Sequence, residues 1–238
     1  MERRVDAAAK RIPNPQPLIP MPPFRAVVFD MDGLMFNTED VYTLVGTELL
    51  RRRGHEFTEE LKHEMMGLPP RESFEAMIRR HGLQETWQEL VPESNAIFIR
   101  LLHDHLAMLP GLPELLDALE AAGTPKAIAT SSGRELLEAC LAPFDLARRF
   151  QFTLTAEDIT HGKPHPEVYL RAADRFRIRP AQMLVLEDSQ NGCRAAAAAG
   201  AFTVAVPGEH SRGQDFSMAS LVVDSLADPR LYALIDLA

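Results

Sequence analysis

The sequence predicts an α/β fold, a doubly wound parallel sheet with a small helical unit inserted after its first strand. Three observations predict it. Short β-rich apolar runs recur at 25–30, 126–131, 151–155, 183–187, 202–206 and 221–223. Helical patterns separate the later runs, and strand–helix alternation of this kind builds a parallel sheet covered on both faces. Between about Glu39 and His105 no strand pattern occurs.

The chain begins with a segment, 1–23, that is basic near its start and then rich in proline: Pro13, Pro15, Pro17, Pro20, Pro22 and Pro23. It reads as a disordered or loosely docked tail. It has no apolar stretch before a cleavage site, so it does not read as a secretory signal. Ala26-Val27-Val28-Phe29 follows as the first strand. Helical patterns then cover 39–53, 59–66, 71–80 and a long stretch from Gln84 or Pro92 to His105. Breakers separate them at Gly54, at Gly67-Leu68-Pro69-Pro70 and at His81-Gly82. These patterns assign a helical cap to 39–106 and an α/β core to 24–38 and 107–238. Within the core, 112–122 reads as a helix between Pro110-Gly111 and Gly123. Helices are expected also at 134–141, 166–176 and 191–199, the last stopped by Gly200. Its alanine run suits close packing on the sheet.

Composition narrows the class. Hydrophobic content of 46% with 25% charged residues is that of a globular chain with a sizeable core. A net charge of −9 makes a poor generic partner for nucleic acid or an anionic membrane. No apolar run approaches the roughly 18–20 residues that span a bilayer. Cys140 and Cys193 are too few for a disulfide framework, so a reducing, cytoplasmic setting is expected.

In open parallel sheets ligands bind beyond the carboxyl ends of the strands. The first run ends in Asp30-Met31-Asp32-Gly33, and period 2 puts both acids on one side of an extended chain. Such a pair repels itself unless a cation or a shared proton intervenes. The second run ends in Thr130-Ser131-Ser132-Gly133, whose hydroxyls and free N–H groups suit an anion. The fourth ends in Glu187-Asp188, and Lys163 lies in a loop between Gly162 and Pro164. Carboxylates without a thiolate suit a hard cation such as Mg²⁺. Lysine and hydroxyls suit a phosphate. Together they point to phosphoryl transfer.

Asp30-x-Asp32-Gly33, Thr130-Ser131-Ser132, Lys163-Pro164 and Glu187-Asp188 resemble, in order and spacing, the motifs of the haloacid dehalogenase superfamily. The resemblance runs from Phe24 to Pro207 and implies a Rossmann-like core. A helical cap after the first motif is similar to the subgroup of β-phosphoglucomutase, phosphoglycolate phosphatase and small sugar-phosphate phosphatases. It implies that Asp30 is the nucleophile and forms an aspartyl-phosphate. Asp32 would be the general acid and then the base, which requires it to hold a proton when substrate binds. Thr130 would bond the phosphoryl oxygens, with Ser131 beside it. Lys163 would neutralise that group and Asp30. Asp188 would ligate Mg²⁺ with the Asp30 carboxylate and the Asp32 backbone carbonyl, and Glu187 would act through water or from behind. Gly67 and Arg71 lie in a stretch similar to the subgroup's specificity loop, and Arg134 is a further candidate for substrate contact.

The resemblance implies a Mg²⁺-dependent phosphoric monoester hydrolase acting on a small phosphorylated metabolite, with a sugar phosphate expected. A sugar phosphomutase and a non-catalytic binder are the alternatives. β-Phosphoglucomutase-like sequences carry a histidine and a lysine where this chain has Tyr42 and Met66, which weakens the mutase. No motif residue is missing, which weakens the binder. A haloalkanoate dehalogenase has no need of Asp32. The chain is expected to act as a monomer, with neither nucleic acid nor membrane as partner. His103 and His105, two apart on a helix, point about 200° from each other and read as surface residues. His161 and His165 flank Lys163 and are weaker candidates for substrate contact.

Overall fold

The computed structural model describes residues 24–65, 68 and 70–235. The proline-rich segment 1–23, and Met66 and Gly67 of the cap loop, lie outside the described residues. The strands are β1 (Ala26–Phe29), β2 (Lys126–Ala129), β3 (Thr153–Leu154), β4 (Met183–Glu187), β5 (Phe202–Ala205) and β6 (Leu221–Val222), each inside a predicted apolar run. They form one sheet in the order β3-β2-β1-β4-β5-β6. Every pairing is parallel. The strand order turns back at β1, which has β2 on one side and β4 on the other. At such a switch point a crevice opens outside the strands' carboxyl ends.

Four helices fill the interval after β1: α1 (Thr38–Arg51), α2 (Glu59–Met65), α3 (Pro70–His81) and α4 (Trp87–His105). The start of α4 is set by Glu89, which accepts from the Thr86 N–H and hydroxyl at 2.8 Å each; Pro92 lies inside the helix. Arg53 donates to Glu85 at 2.8 Å and to Glu93 at 2.7 Å, tying α1 to α4. The remaining helices are α5 (Leu112–Ala121), α6 (Arg134–Leu141), α7 (Glu167–Phe176), α8 (Gln190–Ala199) and α9 (Pro229–Ile235). α9 lies outside the expected helices; it is short and buries Leu231 and Ile235.

Side-chain alternation divides the sheet into two buried faces. Val27, Phe29, Ile128, Leu184, Leu186 and Val204 face one core, with leucines of α5 and α6. Val28, Ala129, Leu154, Met183 and Val185 face the other, with Val168 and Tyr169 of α7 and the alanines of α8. Small side chains let α8 lie close to the strands. Glu187 shares the parity of Met183 and Val185, so it is directed toward α7 and α8. Among the described residues no helix is long and apolar enough to cross a membrane.

The chain leaves and re-enters the sheet region through paired crossings. Phe36 bridges Met108 in antiparallel fashion. Leu109 N–H donates to Met35 O at 2.9 Å, and Asn37 N–H to Ala107 O at 3.1 Å. The Asn37 side chain closes the pair: Nδ2 donates to His105 O at 3.1 Å and Oδ1 accepts from Ala107 N–H at 2.7 Å. Asn37→Ala is expected to lower the unfolding free energy by about 1–2 kcal/mol, since two partly exposed hydrogen bonds are lost. Urea unfolding measures this, and an unchanged midpoint would mean the backbone bonds alone hold the crossing.

Candidate active site

β1 and β4 are neighbours, so their tips carry Asp30 and Glu187-Asp188 side by side; Asp30 N–H donates to Leu186 O at 3.0 Å. Asp30, Glu187 and Asp188 are all buried, and one oxygen of each lies within 4.8 Å of the others. Lys163 enters from the loop before α7, through a cis peptide to Pro164. Its ammonium donates to Asp30 Oδ1 at 2.5 Å, to Glu187 Oε1 at 2.6 Å and to the Ala129 carbonyl at 3.0 Å. It also lies 5.2 Å from the centre of the Tyr169 ring.

The electrostatics follow from burial. Loss of water pushes the Asp30 carboxyl up; Lys163 works against this, while Glu187 and Asp32 add to it. Burial likewise pushes Asp188 up, helped by the charges of Asp30 and Glu187. For Lys163, burial pulls the ammonium down, but Asp30 and Glu187 outweigh it and hold the group above its usual range. One ammonium among three carboxylates leaves negative charge in excess. Hard oxygen donors, buried and close together, fit a divalent cation such as Mg²⁺. Glycine clears the space: a Cβ on Gly33, whose φ is +73°, would strike the Asp188 carboxylate.

Glu187 is engaged on both oxygens. Oε1 accepts from Lys163 and from the Tyr169 hydroxyl at 2.5 Å; Oε2 accepts from the Ser189 hydroxyl at 3.1 Å. Gly192 leaves room for this carboxylate, into which a Cβ would collide.

Asp32 stands apart from that trio. Its Oδ2 accepts from the Thr130 hydroxyl at 3.1 Å and from the Ser132 hydroxyl at 2.7 Å. Its Oδ1 is buried and has no hydrogen-bond partner. Thr130 is fully buried and also accepts from Ser132 N–H at 2.9 Å. The Thr130 hydroxyl, the candidate for the phosphoryl oxygens, thus donates to the Asp32 carboxylate. Ser131 is exposed, and it is Ser132 that reaches Asp32. Thr130 and Ser132 share parity, as do Asp30 and Asp32, so the period-2 argument already contained this choice.

Two other candidates have partners away from these carboxylates. Arg71 is largely exposed and pairs with Glu75 at 2.8 Å. Arg134 pairs with Asp158 at 2.8 Å and donates to Thr155. Gly67 lies outside the described residues. Tyr42 packs on Phe98 with ring centroids 4.6 Å apart. Cys193 is buried, and burial pushes its thiol up. Tyr169, Gly192 and Glu39 were not among the candidate site residues, and Ser132 was named only as part of its hydroxyl loop. Glu39 is half-buried, and burial and the Asp32 charge push its carboxyl up. With Asp188, Asn37, Asp40, His210 and Ser211 it lines a cleft of about 140 Å³.

This constellation meets the family model for haloacid dehalogenase-like hydrolases, which matches residues 27–206. The chain belongs to that family. It is 34% identical to a probable pseudouridine-5'-phosphatase of Drosophila melanogaster, over 84% of this chain and 89% of the relative. It is 33% identical to a phosphorylated carbohydrates phosphatase of Thermotoga maritima, over 74% of this chain and 81% of the relative. The structure of CbbY from Rhodobacter sphaeroides in complex with phosphate superposes with a TM-score of 0.81 at 25% identity, covering 90% of this chain and 99% of that one. As a member of the haloacid dehalogenase-like family with relatives named as phosphatases, the chain is a phosphoric monoester hydrolase.

Gly192→Ala tests the packing behind Glu187. The added methyl must displace a buried carboxylate bonded to Lys163 and Tyr169, so a loss of about 1–3 kcal/mol is expected. Thermal unfolding of the purified variant reads it, and wild-type stability would refute the contact.

Proposed function

We propose that this protein hydrolyses a small phosphate monoester, a sugar phosphate, with Mg²⁺ and through an aspartyl-phosphate on Asp30. The observation that carries the proposal is the division of the two acids of the first motif. Asp30 faces Lys163 and the other carboxylates. Asp32 is held by two hydroxyls on Oδ2, with Oδ1 left over. Asp30 and Asp188 side chains and the Asp32 backbone carbonyl would hold Mg²⁺, with Glu187 supporting from behind. When bound, the ion supplies positive charge against the phosphoryl oxygens.

In the first half-reaction an Asp30 carboxylate oxygen attacks phosphorus, and the bond to the ester oxygen breaks. The leaving alkoxide takes a proton from Asp32. Thr130 and Ser132 keep Oδ2 as an acceptor, and so fix the orientation of the carboxyl. In the second half-reaction Asp32 takes a proton from water as that water attacks phosphorus. Inorganic phosphate leaves and Asp30 is restored. Lys163 offsets charge on Asp30 and on the transferred group throughout.

Two observations support a small hydroxylated substrate. The cleft beside Asp188 is lined by polar side chains of the first cap helix and of the 207–211 loop. The relatives include a phosphatase of phosphorylated carbohydrates. At the hinge Tyr42 stands where the mutase-like pattern has histidine, which favours hydrolysis over phosphoryl return.

A panel of phosphorylated sugars and carboxylic acids with Mg²⁺ tests the reading. Turnover of at least one sugar phosphate is expected, with Asp30→Asn slower by about a thousandfold or more. Asp32→Asn should form product from p-nitrophenyl phosphate in a single burst and then stall, because that leaving group needs no proton. Conversion of a sugar 1-phosphate to the 6-phosphate, or Asp30→Asn as active as wild type, would contradict the proposal.

A further inference from the structure

The loop that carries Lys163 has an outer side as well as an inner one. There His161 and His165 are exposed, with their rings packed at 4.6 Å between centroids. Glu167 opens α7 two residues further on. One ligand atom from each of these residues lies within 4.8 Å of the others. His161 Nδ1 is 3.1 Å from Glu167 Oε2. Ligands at about 2.0–2.1 Å from a tetrahedral zinc ion are about 3.3 Å apart. That pair is therefore already close to ligand spacing.

The backbone prepares the cluster. Thr160 and His161 N–H groups donate to the two Glu167 oxygens at 3.0 and 2.9 Å. These bonds, led by the one from Thr160, hold the Glu167 carboxyl at about 2, so it is ionised near neutral pH. Arg171 takes Oε1 at 2.7 Å, which leaves Oε2 facing His161. His165 is set between Pro164 and Pro166, whose rings restrict the backbone. Its Nδ1 accepts from Glu167 N–H at 3.3 Å.

Two imidazoles and a carboxylate favour a borderline transition ion, whereas the all-carboxylate trio inside favours a hard one. The two donor sets lie on opposite sides of one loop, because the Lys163 ammonium points inward to Asp30 and Glu187. We propose that His161, His165 and Glu167 form a second metal site, specific for zinc or a similar divalent transition ion, that clamps the loop presenting Lys163. A ligand bridge from His161 to Glu167 closes the chain around Lys163-Pro164. Because only the folded loop presents the three donors together, zinc stabilises the protein by mass action.

The test is a zinc titration of the full chain in excess Mg²⁺, which keeps the carboxylate trio occupied, against a chromophoric chelator. Wild type is expected to bind one zinc ion in competition with the chelator. His161→Ala and His165→Ala should each weaken that binding at least about tenfold. His103→Ala/His105→Ala should leave it unchanged. Cobalt(II) in wild type should give the intense visible bands of four-coordinate geometry, absent in His161→Ala. Circular dichroism, together with His161→Gln as a second variant, separates loss of ligand from loss of fold. Equal zinc affinity in wild type and the His161 and His165 variants, or loss of binding in the His103/His105 variant, would overturn the proposal. So would a wild type that fails to compete with the chelator.

Discussion

The ammonium of Lys163 sits between Asp30 and Glu187, and the rest of the site depends on that contact. Buried carboxylates are costly unless they are paired and hydrogen-bonded. Here a lysine bonded to both carboxylates and to a backbone carbonyl offsets two of them. Tyr169 and Ser189 fill the remaining positions on Glu187. Among the described residues no ion pair reaches Asp188, which lies against Gly33 and, with Asp30 and Glu187, could hold a metal ion.

The fold supplies this juxtaposition through strand order. Placing β4 beside β1 brings together acids far apart in sequence, and placing β2 on the other side brings the hydroxyls of Thr130 and Ser132 to Asp32. Strand parity then assigns tasks. Glu187 is aimed at α7 and α8 and becomes a support, while Asp188, one residue on, remains at the crevice. The two acids of the first motif are separated in the same way, by partners rather than by distance along the chain. The Asn37 crossing sets the helical insertion beside these tips, and the cleft at Glu39 and His210 lies between the two regions.

Much of this was legible in the residues. Apolar runs located all six strands because a buried parallel strand must be apolar on both faces. The acids and the hydroxyl loop were legible because they follow those runs, and Lys163 because its Lys-Pro pair falls in motif order between them. Partners within the site were less so. Tyr169 lies on a helix face that reads as core, and nothing in its spacing marks a hydrogen bond to Glu187. Ser132 was available from parity but was passed over for its neighbour. Arg71 and Arg134 have acidic partners on their own surfaces, and a sequence does not show which of several acids an arginine reaches. The need for Gly192 is a matter of clearance, visible only once Glu187 is placed. Helix α9 was missed because seven residues carry too little periodicity.

The central claim is that the buried carboxylates of Asp30, Glu187 and Asp188 are matched to Lys163 and one divalent cation together. Thermal unfolding of wild type and Asp188→Asn, with and without Mg²⁺, tests it most directly. Mg²⁺ at a hundred times its dissociation constant should stabilise wild type by about 2.7 kcal/mol. Without Mg²⁺ the variant should unfold no earlier than wild type, since a repelling buried charge has been removed, and Mg²⁺ should leave it unchanged. A wild type indifferent to Mg²⁺, or a variant that keeps the full response, would contradict the account.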